Sequence, residues 1–411
     1  MQTSLPEAYA ATPEGRRAEA ILRSCVHCGF CNATCPTYQL LGDELDGPRG
    51  RIYLIKDMLE TQRVDPVAVR HLDRCLTCRA CETTCPSGVA YGELAELGRN
   101  YLEREQARAA RGYRSWFERL QRRWLLSVVP RRRAFARWAA LGRLAGPFLP
   151  ARLRRQLPRR RKRPEAVGEI ADPVRTVLLL DGCVQSVSTP EVNDALVRLL
   201  AALRVRVIRL PDEGCCGALA LHLGEEALAH ATMTASLGAL VPSLEEVDAV
   251  VSTASGCGVT LKDYGRLLAG DAQRSAQASA LADKVVDVGE FLDALDVDWR
   301  KAIDVDRVAV HVPCTLQHGQ RCGSLPAALL ERAGYTVVPV RDAHLCCGSA
   351  GSYAILQPEL SQTLGTNKVT ALTIAEPELI ATANVGCQVH LGALAPLPVK
   401  HWVELLTVAE R

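Results

Sequence analysis

Downstream of residue 170 the chain alternates short, wholly apolar runs with stretches whose apolar positions recur every three or four residues. Val177–Leu180 and Val205–Leu210 read as strands on either side of a helix over Asn193–Leu203. Val308–Val312, Leu325–Ala333 and Tyr335–Val340 repeat that order, while Ala249–Ser252 and Leu379–Ala381 add further short strands. Strands alternating with helices predict parallel sheets whose ligands lie beyond the strand carboxyl ends. The first hundred residues read differently, as compact helices; Ile52, Ile55, Met58 and Leu59 place one apolar face on a helix over Pro48–Gln62. No stretch approaches about 18 uninterrupted apolar residues, so no bilayer-spanning segment is expected.

The C-terminal pattern is an internal repeat. Val177–Cys183 matches Val308–Cys314, Cys215-Cys216-Gly217 matches Cys346-Cys347-Gly348, and Ser252–Cys257 matches Ala381–Cys387, at offsets of 131, 131 and 130 residues. Three landmarks at one period make chance agreement improbable and predict one pseudo-symmetric unit with a shared site region. Each copy carries one cysteine, a Cys-Cys pair and one more cysteine just after its apolar runs: Cys183, Cys215, Cys216 and Cys257, then Cys314, Cys346, Cys347 and Cys387. Adjacent cysteines before a glycine can present both sulfurs to one metal, the glycine letting the backbone turn closely. Free cysteines are usually buried small hydrophobes, but the repetition favours a metal or redox role, a candidate third centre. Cys322 has no counterpart and reads as a structural thiol; His311, His344 and His390 lie beside repeat cysteines as weaker candidates for ligation or proton transfer.

Two cysteine runs in the helical part share one spacing, C-x2-C-x2-C-x3-C-P: Cys25–Pro36 and Cys75–Pro86. Three thiolates two residues apart wrap one cube of iron and sulfide, and the fourth, three residues on, serves the other cube. The crossed pattern gives cluster 1 to Cys25, Cys28, Cys31 and Cys85, and cluster 2 to Cys75, Cys78, Cys81 and Cys35. Zinc sites use paired C-x2-C units across a longer gap, which fits less well. His27, inside the first run, would tune potential by hydrogen bonding at most. Two 4Fe–4S clusters are therefore the expected cofactors. Each closing proline is expected to block further helix and aim the last thiolate at the distant cube.

Composition narrows the class. The chain has 411 residues, enough for two or three domains, and 17 cysteines, too few for a disulfide scaffold. No signal-peptide pattern opens it, so a reducing, cytoplasmic setting is expected. Net charge is only +3, yet residues 101–164 hold 20 lysines and arginines against 3 acidic residues. Three of the five tryptophans (Trp116, Trp124, Trp138) lie among those arginines, before the run Pro158–Pro164. Short amphipathic helices followed by a solvated linker, or peripheral contact with a membrane surface or acidic partner, account for such a segment. Nucleic acid is not an expected partner, since no recognised binding fold accompanies the charge. There is no G-x-G-x-x-G after a strand and no phosphate-binding loop. With one-electron carriers and no flavin or nucleotide motif, the chain reads as a subunit whose two-electron chemistry sits on a partner, and no catalytic residue is assigned to it.

The order of these features resembles the iron–sulfur subunit of glycolate oxidase over nearly the whole chain, most weakly across 101–170. Cys25-Val26-His27-Cys28-Gly29-Phe30-Cys31, the segment Thr37–Tyr53, Cys314-Thr315-Leu316-Gln317-His318 and His344–Gly351 carry the likeness. It implies an oxidoreductase complex in which FAD-binding subunits oxidise glycolate to glyoxylate. This chain would pass the electrons towards a quinone or membrane acceptor on the cytoplasmic face of the inner membrane. Lactate-utilisation, glycerol-3-phosphate dehydrogenase and heterodisulfide reductase subunits share the Cys-Cys-Gly repeats, so a lactate or glycerol-3-phosphate substrate, or a thiol/disulfide reductase role, is the alternative. In the last of these the repeats end in C-x2-C; here the ends are Cys257–Thr260 and Cys387–His390, each lacking that last cysteine. A smaller or cubane third cluster, or none, stays open. The expected fold is α+β: a helical two-cluster ferredoxin-like domain over 15–100, a basic helical connector over 101–170, and two pseudo-symmetric α/β cysteine-rich (CCG) repeats over 171–300 and 301–411.

Overall fold

The computed structural model describes residues 1–108, 112–148, 168 and 170–409; the arginine run Pro158–Pro164 lies outside them. The N-terminal part is helical, as the periodicity predicts. Helices Pro13–Ser24, Pro48–Thr61, Pro66–Asp73 and Tyr91–Arg108 close over Leu22, Ile55, Met58, Leu59, Leu72, Leu94 and Leu102, all fully buried. Burying each of these side chains contributes roughly 1.5–3 kcal/mol. Prolines open three of these helices at the first helical turn, where the missing N–H has no intrahelical partner to lose. Pro36 does the same for a helix over Pro36–Leu41, so the first Cys-Pro starts a helix as well as ending the cysteine loop. The helix Tyr91–Arg108 runs on past residue 100, and its C-terminal half belongs to the basic stretch.

Each repeat is an α/β unit with a four-stranded parallel sheet. The first holds β1 (Arg175–Leu179), β2 (Val205–Ile208), β3 (Ala249–Ser252) and β4 (Val285–Asp287) in the order β2-β1-β3-β4. After the linking β5 (Trp299–Lys301), the second holds β6 (Arg307–His311), β7 (Thr336–Val338), β8 (Leu379–Thr382) and β9 (Val399–His401) in the matching order β7-β6-β8-β9. β5 pairs antiparallel with the last strand, β10 (Leu406–Val408), so the end of the second repeat clasps the end of the first. Of the five three-residue strands among the described residues, only β7 falls in an apolar run that predicts it; β4, β5, β9 and β10 are too short to show a period.

Side-chain alternation welds the two sheets together. Val177 and Leu179 of β1 enter one core with Val308 and Val310 of β6, Ala381 of β8, Trp299 and Trp402; Leu178 and Leu180 face the opposite layer. Strands buried on both faces explain why the runs read as continuously apolar. Glu226–Glu246 is long and apolar enough to cross a membrane, but Met233, Leu237 and Leu240 pack it on the first sheet as a core helix.

Candidate iron–sulfur centres

The two cysteine runs fold into nearly superimposable loops. Residues at the same two positions of each take left-handed backbone: His27 (φ 61°) and Gly29 (φ 83°) in one, Thr77 (φ 52°) and Arg79 (φ 61°) in the other. A left-handed residue flanked by right-handed or extended ones turns successive N–H groups to one side, making a concave cradle for an anionic group. Only one of the four is glycine, so the second loop holds two strained non-glycine residues. A short helix follows each loop, Phe30–Thr34 and Ala80–Thr84, and these two helices pack together. That pairing brings the last cysteine of each run to the other run.

Cys25, Cys28, Cys31 and Cys85 line one cavity with Pro48, Ile52, Pro86, Val89 and Tyr91, and Cys81 of the second run reaches the same cavity. Burial pushes the Cys31 thiol up to about 11, with Cys25, Cys85 and Cys28 as the charged neighbours that add to it. Around Cys81 the acting groups are Cys78, Cys75 and Cys35, and its thiol is likewise pushed well above its usual value, mainly by burial. Cys85 thus adjoins the cysteines of the first run, and Cys35 those of the second. Cysteine sulfurs crowded together in buried surroundings are a donor set that a cation makes favourable as thiolates, so the residues fit iron–sulfide clusters here.

The second set sits in charged surroundings that the sequence did not announce. Arg51 is completely buried; its Nε donates to His71 O at 2.8 Å and its Nη2 lies 3.4 Å from Asp46 Oδ1. Arg74 Nη1 and His71 Nδ1 reach the same carboxylate at 2.9 Å each, so Asp46 and His71 are committed to this network. Arg99 donates to the carbonyls of Leu72 and Cys75 at 2.8 and 2.7 Å. Burial acts to raise the Cys75 thiol, but Arg51, Arg99 and the Tyr91 hydroxyl at 3.5 Å together hold it below its usual value. The readable signal was Arg51 itself, a charge one residue from Ile52 on the buried stripe of a helix.

In the repeats, the cysteines gather at the carboxyl ends of the strands. Cys183 Sγ donates to Cys215 Sγ at 3.5 Å, which raises Cys183 and lowers Cys215; Cys216 is raised by its contacts with Cys215 and Cys257. In the second repeat Cys314 Sγ lies 4.0 Å from Cys346 Sγ, and Cys347 interacts with Cys346 and Cys387. Hydrogen bonding to Cys346 and burial push the Cys314 thiol well up. Gly217 and Gly348, with φ of 81° and 83°, close each Cys-Cys turn; a Cβ on Gly348 would come within 2.7 Å of Ser361 O. The copies also meet directly: Ser255 Oγ and Thr315 Oγ1 are 2.7 Å apart, and Gly256 N donates to Asn384 Oδ1 at 3.4 Å.

The second repeat adjoins the cluster domain. Leu76, Cys78, Cys314, Cys346 and Tyr353 share one apolar cluster, in which Cys314 acts on Cys78 and Cys78 on Cys346. His318, on a π-helical turn Thr315–Gln320, pins this contact: Nδ1 meets Thr83 Oγ1 at 2.9 Å and Nε2 meets His344 O at 3.0 Å. The groups acting most strongly on Cys183, Cys215 and Cys216 belong instead to their own repeat. His390 is held at Ser361 O (3.2 Å), and Cys322 lies in the shared core, its thiol pushed up to about 12 by burial. His311 lies beside Cys347 and Cys387. His27 packs edge-on to Tyr53 at 4.6 Å.

The basic connector is partly structural. Arg114 pairs with Asp73 (2.8 Å) and Glu103 (2.5 Å), Arg122 with Glu103 (2.9 Å) and with Leu223 O (2.8 Å), and Arg132 with Asp181 (3.4 Å). Arg122 thus ties the cluster domain to the first repeat, and Arg132 ties the connector to that repeat. Helix Trp116–Val128 nevertheless turns Trp116, Phe117 and Leu120 to solvent, and Trp124 stacks edge-on to Trp138 of helix Arg132–Leu144 at 5.6 Å.

Two crossed cysteine loops on a helical domain, followed by paired α/β repeats with four cysteines each, define an iron–sulfur protein of the oxidoreductases. Residues 21–89 match the 4Fe-4S dicluster domain, and residues 177–262 and 308–392 each match the cysteine-rich domain. The chain belongs to the family of glycolate oxidase iron–sulfur subunits. It is 43% identical over 410 residues to the glycolate oxidase iron-sulfur subunit of Escherichia coli K12, covering 100% of this chain and 99% of that protein. It is 32% identical over 403 residues to the probable counterpart in Bacillus subtilis 168, covering 92% and 90%. Lactate utilization protein A of Geobacillus kaustophilus is 29% identical over 237 residues, 56% of this chain and 98% of that protein.

Proposed function

We propose that this chain is the electron-relay subunit of a glycolate-oxidising complex, with the FAD and the substrate site on partner subunits. Cys25, Cys28, Cys31 and Cys85 hold one 4Fe–4S cluster, Cys75, Cys78, Cys81 and Cys35 the other, and Cys314, Cys346, Cys347 and Cys387 a third centre. When bound, such clusters accept and release single electrons at potentials set by ligands, hydrogen bonds and exposure. The chain's residues do the rest: the left-handed loops present N–H groups, Arg51 and Arg99 balance the thiolate charge, and the Thr83–His318 contact holds the second repeat against Cys78.

The observation that carries this reading is the junction at Cys78, where a cysteine of the second run shares an apolar cluster with Cys314 and Cys346. The stripe Trp116, Leu120 and Trp124, edged by Arg119 and Arg123, supports contact with an anionic lipid surface, next to which a quinone would be met. Purification from the native host tests the whole: a co-purifying flavoprotein that reduces a dye with glycolate is expected. Reduction with D-lactate alone would move the assignment to a lactate complex. On the lipid side, flotation with vesicles containing about one-third anionic lipid should be lost in Trp116→Ser/Trp124→Ser.

A further inference from the structure

We propose that His311 is a metal ligand of the second repeat, its Nε2 joining Cys347 and Cys387 as nitrogen donor to an iron–sulfur centre. This rests on the reading of a third centre there and adds to it a ligand that no cysteine pattern contains. One ligand atom each of His311, Cys347 and Cys387 lie within 4.8 Å of one another, and all three side chains are buried, at 3%, 1% and 5% exposure. His311 Nε2 has no hydrogen-bond partner among the described residues, although it is enclosed. An imidazole nitrogen sealed from water with nothing to bond loses its hydration without recompense, unless a cation takes the lone pair.

The other ring nitrogen is already committed. Nδ1 lies 2.9 Å from Thr382 Oγ1, and Thr382 is the residue paired with His311 across β6 and β8. A hydrogen bond at one imidazole nitrogen that fixes the ring and leaves the other for metal is how ligating histidines are oriented. His311 ends β6, so backbone register, not a loop, sets the ring's position three residues before Cys314.

The first repeat supplies the contrast. At the 131-residue offset His311 corresponds to Leu180, which packs in an apolar cluster with Cys216. The four cysteines recur in both copies; the nitrogen does not. A neutral imidazole brings the centre a donor without negative charge, so it is easier to reduce than a centre with a thiolate at that place. The centre next to Cys78 thereby becomes an electron sink relative to an all-thiolate one.

Full-length wild type and His311→Leu, purified anaerobically, provide the test, with metal analysis and pulsed magnetic resonance on reduced protein carrying natural-abundance or 15N-labelled histidine. The expected result is iron above the roughly eight atoms of two cubes in the wild type, with a strong histidine-nitrogen coupling that is lost in His311→Leu. His311→Cys should keep the added iron, lose the coupling and shift that centre's midpoint potential downward. Because both cubes report on folding, a variant retaining their signals is a folded one. Iron limited to two cubes would overturn the third-centre reading and this proposal together. Added iron whose nitrogen coupling survives in His311→Leu would overturn His311 alone, as would zinc at this position in place of iron.

Discussion

The two cysteine-rich repeats share sheet order, strand register and four cysteines, yet they differ where electrons would pass. The second lies against Cys78 through Leu76, Cys314, Cys346 and Tyr353; the first is held to the cluster domain by Arg79–Asp263 at 3.6 Å and Arg266–Glu96 at 3.3 Å, with Arg122 bridging Asp73 and Leu223 O. One contact is apolar and places sulfur beside sulfur. The other is ionic and serves to hold domains together. Duplication therefore supplied two equivalent scaffolds, and the neighbour each acquired made them unequal.

The largest expected effect lies where that inequality starts. Cys78→Ser should cut glycolate-dependent dye reduction by the assembled complex at least about a hundredfold, because a cube lost beside the second repeat interrupts the relay. Full turnover in this variant would end the relay reading. Next, Cys347→Ser should lower turnover about tenfold and remove the iron beyond two cubes, while Cys216→Ser should change turnover less than about twofold; equal losses would erase the distinction between the repeats. A smaller effect is expected at the pin. His318→Leu should leave the iron content intact and slow electron delivery about two- to fivefold, read by stopped-flow reduction of the clusters, since one hydrogen-bonded contact contributes on the order of 1 kcal/mol.

The smallest effect concerns how each repeat ends. β4 runs into a helix capped by Asp287 with Glu290, and β9 into one capped by His401 with Glu404. The same local device thus carries an acid in one copy and a base in the other. Burial raises Asp287 to about 7, so its folded form binds the proton more tightly, and this stabilisation is lost as pH rises from about 4 through 7. Burial lowers His401 to about 4, so its contribution is present above about 6.5 and is lost as pH falls through 4. Thermal melts of the apoprotein should show Asp287→Asn flattening the loss on the alkaline side and leaving the acid side steep. A uniform shift at every pH would show that Asp287 does not titrate in this window.

Much of this was legible because it is local. Cysteine spacing encodes loop geometry, so the two runs predicted two matching loops, and the structure folds them alike, with Cys85 near the first run and Cys35 near the second. Strands buried on both faces leave continuous apolar runs, so β1, β3, β6 and β8 could be read to within a residue or two. The 131-residue period exposed the duplication before any sheet was drawn. Arg51 illustrates the opposite: in sequence it is one charge in an apolar helix, and only its fold neighbours, Asp46, His71 and Cys75, reveal a buried counter-charge.

The amino-acid sequence alone determined the cysteine loops, the sheet scaffolds and the duplication, because each depends on residues held close by the chain itself. Tertiary structure alone decided that the second repeat packs Cys314 and Cys346 with Cys78, and that His311 lies beside Cys347 and Cys387. It also decided which arginines of the basic connector are rivets and which are surface. Those contacts join residues tens to hundreds of positions apart, and their energies come from burial and pairing across packed domains, which no local pattern records.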